Sequence, residues 1–152
     1  MSGLVRFDTS AWPLVVIRMP DRLDTAAIDS FLEGTDAVLG RKSKFSAVID
    51  TTALSGFPNA IERHRLVDGM HKRNFAEKAY NVGNGVVIVS AASRAVLTAV
   101  TWLRPPVTTQ HLVGNVAAAV EWCCGRLIAA GVPLTPEIEA LRSKAALEMG
   151  GS

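Results

Sequence analysis

Short apolar runs alternate with longer amphipathic segments along this chain, and that alternation constrains its fold more than any other feature. The runs at residues 45–49 and 86–90 are apolar at nearly every position. Such runs are typical of strands that are buried on both faces of a parallel sheet. Because neighbouring parallel strands need crossover connections, usually helices, the sequence predicts an α/β fold.

The first 19 residues add a strand pair to this pattern. Strands are predicted at residues 4–8 and 14–19, and the short connection containing Pro13 suits an antiparallel hairpin. A last strand is predicted at 107–113, and 152 residues are enough for one compact core. We therefore expect a single α/β domain at residues 1–131, with a five-stranded mixed and mostly parallel sheet and four helices packed on it, then a tail helix at 132–148 and a disordered end at 149–152.

The predicted helices begin at side chains that can accept a hydrogen bond from the first helical turn. These candidate caps are Asp24 or Thr25, Ser93, Asn115 and Thr135. Pro58 instead fits a first-turn position of the second helix. Gly40 and Gly131 are expected to end two of the helices, Gly40 in the left-handed conformation. One continuous helix is expected from 59 to 79, although Gly69 weakens it by about 1 kcal/mol relative to alanine.

Charge and hydropathy argue against nucleic acid and membrane as partners. Lys and Arg total 16 against 14 Asp and Glu, giving a formal charge of +2, too small for a dominating attraction to phosphate. The N-terminal residues lack a basic segment leading into an apolar core, and no apolar run approaches the roughly 20 residues of a membrane span. We therefore expect a cytoplasmic protein.

The two cysteines, Cys123 and Cys124, are sequence neighbours on a predicted helix. Adjacent helical side chains diverge and do not reach disulfide geometry without strain. We expect two reduced thiols that are packed in the core.

Two motifs invite a ligand but have the wrong geometry for it. Gly83-Asn84-Gly85 precedes a predicted strand, whereas a dinucleotide-binding loop follows one, so a loop turn is predicted there. His64, Asp68 and His71 share one helical stripe, but ligands at these spacings extend over about 10 Å of helix. A surface ion pair between His64 and Asp68 is the preferred interpretation, and no metal or cofactor is expected.

Asp50 ends one predicted strand and Ser90 ends another, which is half of the site of a receiver domain in two-component signalling. Such a site also needs an acidic pair that holds Mg²⁺ and a lysine after the last strand. The last strand here ends in Leu-Val-Gly without a lysine. A phosphoacceptor role for Asp50 therefore ranks below a structural role, in which Asp50 bonds to the following turn.

Three stretches carry a resemblance to a known family. They are residues 47–52 (Ala-Val-Ile-Asp-Thr-Thr), residues 85–90 with the helix at 93–103, and residues 111–113 with 119–122. Together with the element order, they resemble the STAS-like domains, which are similar to anti-sigma-factor antagonists, and in particular the stand-alone bacterial members of unassigned role.

This resemblance implies a signalling protein that is not an enzyme and that recognises another protein. In classical members, a partner kinase phosphorylates a serine in an Asp-Ser-Ser-Gly loop, a motif that this chain lacks. The implied regulatory or scaffolding surface is the loop after the central strand with the helix it starts. Its candidate residues are Thr51, Thr52, Ser55, Gly56, Asn59 and Arg63.

A second hypothesis is a small-ligand or lipid-binding domain, or a minor enzyme, with an apolar pocket between the sheet and the helix that carries Arg94. Its candidate residues are Ser90, Ser93 and Arg94. The tail helix leaves a homodimer open, because Ile138 and Leu141 need cover either from their own domain or from a second copy.

Overall fold

The computed structural model describes residues 3–56, 58–103 and 105–150. Residues 151 and 152 of the predicted disordered end lie outside the described residues. The strands are β1 (Arg6–Asp8), β2 (Leu14–Arg18), β3 (Phe45–Asp50), β4 (Asn81–Val87) and β5 (Gln110–Val113). The helices are α1 (Thr25–Leu39), α2 (Ala60–His71), α3 (Asn74–Tyr80), α4 (Ala91–Leu103), α5 (Val116–Ala129) and α6 (Pro136–Gly150).

The five strands form one sheet in the order β1-β2-β3-β4-β5. β1 runs antiparallel to β2, and every later neighbouring pair is parallel. The prediction of an α/β fold with a mixed, mostly parallel sheet that opens with an antiparallel pair is therefore confirmed.

Helices cover both faces of the sheet, which gives two cores. The first core joins β2 and β3 to α1, α2 and α4, and it includes Val15, Ile17, Ile28, Phe31, Ala47, Leu66 and Val96. The second core lies under α5 and α6, and it includes Leu14, Val16, Val48, Val87, Val120, Leu127 and Ile138. Adjacent residues of β2 enter opposite cores because side chains alternate along a strand.

The helix count differs from the prediction, since the described residues contain six helices and not five. The helix expected at 59–79 is divided into α2 and α3 at Lys72 and Arg73. The Arg73 guanidinium binds Asp36 of α1, with an Nε to Oδ1 distance of 2.7 Å, and also donates to the Gly69 carbonyl oxygen. This contact with α1 holds the chain in the turn between the two helices.

The strand predicted at 86–90 was misplaced, because β4 occupies residues 81–87 and contains the Gly83-Asn84-Gly85 segment expected to be a loop. The two glycines lie beneath α5. A Cβ at Gly83 would be 2.8 Å from the Trp122 ring, and one at Gly85 would be 3.1 Å from the Ala119 carbonyl oxygen. Glycine in this strand thus permits close helix packing. β5 is also shorter than predicted.

Most of the expected helix starts are confirmed. Asp24 and Asn115 accept hydrogen bonds from the first turns of α1 and α5. The α2 helix begins one residue later than predicted, and Asn59 caps it in a reciprocal capping box with Glu62, at 2.8 Å in both directions. At α6, the Thr135 hydroxyl oxygen accepts from the Ile138 amide.

Two helix-end predictions were wrong. The α4 helix starts earlier than expected, and its first turn is capped by Ser90, whose Oγ accepts from the Ser93 amide at 3.1 Å. Gly40 has a right-handed φ of −64°, whereas Lys42, two residues later, has a φ of 52°. Gly131 ends α5 with a φ of 77°, as expected for a glycine stop.

Cys123 and Cys124 are free and buried, as predicted. Desolvation by the surrounding core raises the pKa of both thiols to about 11. At neutral pH both thiols are therefore protonated. They are unreactive, because the thiolate is the reactive form of cysteine.

The tail helix α6 packs against its own domain. Ile138 is fully buried within the single chain and belongs to the core beneath α5. This residue therefore needs no second copy for its cover.

Among the described residues, no helix is long and apolar enough to span a membrane.

Candidate functional site

The loop between β3 and α2 carries most of the residues predicted to bind a partner. Asp50, at the end of β3, accepts a hydrogen bond from the Thr52 amide at 2.9 Å, so the expected Asp50 turn is formed. Thr51 points inward: it is 7% exposed, and its hydroxyl donates to the Val87 carbonyl oxygen of β4. Thr51 therefore ties the loop to the sheet.

Backbone contacts hold the middle of this loop. The amides of Ser55 and Gly56 both donate to the carbonyl oxygen of Asp21, at 2.9 and 3.3 Å. Farther along, the Arg63 guanidinium donates to the Pro58 carbonyl oxygen at 2.8 Å. The loop is thus fixed at both ends and at its centre.

The candidate partner-binding residues do not share one environment. Thr52, Ser55 and Asn59 are exposed, whereas Gly56 and Arg63 are partly buried. Thr51 contributes to the interior. Only part of the predicted set therefore forms a surface that another protein could contact.

A cavity of about 160 Å³ lies behind this loop, between the sheet and helices α1, α2 and α4. Its floor consists of inward side chains of β2 and β3, including Ile17, Ala47 and Ile49. Apolar side chains of the three helices form the opposite wall, among them Phe31 and Val96. The cavity lies between the sheet and the helix carrying Arg94, where the second hypothesis expects a pocket.

The three residues of that second hypothesis take different positions. Ser93 is buried and lines the cavity, and its hydroxyl donates to the Ser90 carbonyl oxygen at 3.1 Å. Ser90 caps α4 outside the cavity lining. Arg94 is exposed and does not line the cavity.

The cavity also has polar lining that sequence reasoning missed. Glu77, Asn81, Asn84 and Gln110 come from α3, β4 and β5, and all four line the cavity. Asn84 went unnoticed because the Gly83-Asn84-Gly85 segment was predicted to be a loop turn. The signal was present in Asn81 and Asn84, two polar residues beside the glycines of what is a buried strand.

The structure gives little support to the receiver hypothesis or to the predicted ion pair between His64 and Asp68. β4 ends at Val87, so Ser90 lies beyond its end and not at the strand end that the receiver hypothesis assumed. His64 and Asp68 do not form the expected ion pair. The ion pair on this part of α2 joins Arg65 to Asp29 of α1. In the described part of the chain, no three His, Cys, Asp or Glu side chains are grouped closely enough for a metal ion.

Comparisons with known proteins give no relative: the chain matches no protein-family model, no curated protein and no solved structure. The resemblance to STAS-like domains therefore stays a prediction from the residues.

Proposed function

We propose that this domain binds a small, largely apolar molecule in the cavity between the sheet and helices α1, α2 and α4, without catalysing a reaction. The observation that supports the proposal is the cavity itself, with its apolar floor and walls. An engineered protein cavity of about 150 Å³ lined by Leu, Ile and Phe binds benzene or xenon. At about 160 Å³, the present cavity suits a molecule of similar size.

The energetic cost of such a cavity favours a binding role. Protein interiors are packed as densely as organic crystals, and voids larger than a water molecule are few. Apolar side chains that line such a cavity lack contact atoms on one side, which costs stability relative to a filled core. A ligand that fills it would recover part of that stability whenever it is bound.

Filling the cavity from its floor tests the proposal. We expect Ala47→Leu to abolish binding of toluene or benzene, because the added side chain enters the space that the ligand needs. Stability should be unchanged or raised by about 0.5–2 kcal/mol, as in other cavity-filling variants. Binding is measured by ¹H-¹³C NMR of the methyl groups that line the cavity, and stability by thermal unfolding.

The same Ala→Leu change at an exposed position provides the control. Ala129 is exposed on α5, on the opposite side of the sheet, so Ala129→Leu should bind toluene like the wild type. Two results would contradict the proposal. One is wild-type protein that binds neither toluene, benzene nor xenon, and the other is Ala47→Leu protein that still binds toluene with wild-type affinity.

A second candidate function is recognition of another protein by the surface that follows β3. Two large apolar side chains favour it: Ile61 on α2 is 81% exposed and Phe75 on α3 is 89% exposed. Both lie on the helices that follow the loop with Thr52 and Ser55. A contact with another protein would remove both apolar side chains from water, which is favourable.

Charge substitutions on this surface test the second candidate. Partners are captured by cross-linking, with the wild-type chain and its variants as bait. We expect the Ile61→Lys/Phe75→Lys variant to lose a partner that the wild type retains, because the two lysines would be buried and unpaired at the contact. Leu147→Lys is the control, since Leu147 is also highly exposed, at 75%, but lies on α6. If the same proteins are recovered with all three chains, these two residues do not form the contact.

A further inference from the structure

Two amide side chains stand side by side in the cavity lining. Asn84 on β4 and Gln110 on β5 are register partners across neighbouring parallel strands, and both line the cavity. Neighbouring strands lie about 4.8 Å apart, so both amides are within reach of one small chemical group.

The hydrogen bonds around Asn81 determine which atom Asn84 presents. The Gly83 amide donates to Asn81 Oδ1 at 3.0 Å, which fixes the orientation of the Asn81 side chain. Its Nδ2 then donates to Glu77 Oε2 at 3.0 Å and to Asn84 Oδ1 at 2.8 Å. Asn84 therefore uses its oxygen within the protein and keeps its Nδ2 hydrogens as donors.

Gln110 is less committed than Asn84. In the described part of the chain, its side-chain amide makes no hydrogen bond, so it offers both a donor and an acceptor. The hydroxyls that line the cavity offer only acceptor lone pairs, since each donates its hydrogen to a backbone carbonyl oxygen. They belong to Thr35, Thr51 and Ser93.

We infer that the ligand carries a neutral head group that both accepts and donates hydrogen bonds, a hydroxyl or a carboxamide, held by Asn84 and Gln110. The inference rests on the proposed ligand-binding function. An acceptor atom of the head group matches Asn84 Nδ2, and a donor hydrogen matches the Gln110 oxygen. An anionic head group is disfavoured, because no Lys, Arg or His lines the described cavity and an unpaired buried ion is costly. Glu77, the acidic residue of this lining, already accepts a hydrogen bond from Asn81 Nδ2.

The test compares aromatic ligands of similar size that differ in the head group. Toluene, benzyl alcohol, benzamide, benzoate and benzylamine are titrated into the wild type, Gln110→Met and Leu112→Met. Gln110→Met keeps the side-chain length and removes the amide. We expect it to reduce the ratio of benzyl alcohol to toluene affinity about tenfold, as for one or two lost hydrogen bonds. Leu112→Met, on the same strand but exposed, should leave the ratio unchanged.

A second measurement uses the unchanged protein. The side-chain amide NMR signals of Asn84 and Gln110 should shift with benzyl alcohol or benzamide and stay in place with toluene. If toluene and benzyl alcohol both bind while the affinity ratio and the amide signals do not respond, the head-group inference fails and the cavity proposal stands. Binding of benzoate or benzylamine that is tighter than that of benzyl alcohol also overturns it. If no ligand of the series binds, the proposed function itself fails.

Discussion

Replacing Ile138 with alanine is expected to lower the free energy of unfolding by about 2–5 kcal/mol, the range for a large aliphatic residue deleted from a core. Ile138 is 0% exposed, and it packs among the core residues beneath α5. Apart from Ala145, it is the only buried hydrophobic residue in the described side chains of α6. Its truncation should therefore also release the tail helix.

Urea unfolding measures the total effect, and amide hydrogen exchange shows whether α6 opens first. Leu147→Ala is the control, since Leu147 lies on the same helix and is 75% exposed. Its effect should stay within about 0.5 kcal/mol. A loss below about 1 kcal/mol for Ile138→Ala would mean that α6 is not held by this contact in solution. A stability that then depends on protein concentration would indicate a second copy as its cover.

The sheet architecture could be predicted because its signals are local. Apolar runs at 45–49 and, in part, 86–90 mark strands, and the lengths between them permit helical crossovers and little else. Caps are equally local, since Asp24, Asn59 and Asn115 each bond within three residues of themselves. A pattern within a few residues suffices for such features.

The errors come from contacts between distant parts of the chain. The Gly83-Asn84-Gly85 segment has the composition of a turn, yet it forms part of a strand. The helix α5, more than 30 residues later in the chain, packs on that strand. The break between α2 and α3 is fixed by Arg73 with Asp36, an ion pair across 37 residues. Neither contact leaves a periodic signal in the sequence.

The cavity at the candidate site also depends on contacts between distant parts of the chain, and the sequence predicts it only in part. Its position between the sheet and α4 was among the hypotheses, and Ser93 was among its candidate residues. The size of a void, however, depends on how closely four elements approach, which no single segment specifies. The amides of Asn84 and Gln110 become neighbours only through the register of β4 with β5.

Gly85→Ala is expected to lower the free energy of unfolding by about 1–3 kcal/mol, the usual cost of overpacking a core. The new Cβ would lie 3.1 Å from the Ala119 carbonyl oxygen and 3.2 Å from Cys123 Sγ. The carbonyl belongs to the backbone of α5 and cannot rotate away, so the helix must move off the sheet. Gly83→Ala should cost less, because its new contacts are side-chain atoms, the Trp122 ring at 2.8 Å and Arg126 Cγ at 3.0 Å, and not backbone.

Gly125→Ala separates this clash from the general effect of replacing a glycine. Gly125 is exposed within α5, and no atom lies within 4 Å of its added Cβ. Alanine there should raise stability by about 0.5–1 kcal/mol, through helix propensity alone. Chemical denaturation of the three variants gives the comparison. If Gly85→Ala proves as stable as the wild type, α5 does not approach β4 this closely, and the explanation given for the glycines in that strand is wrong.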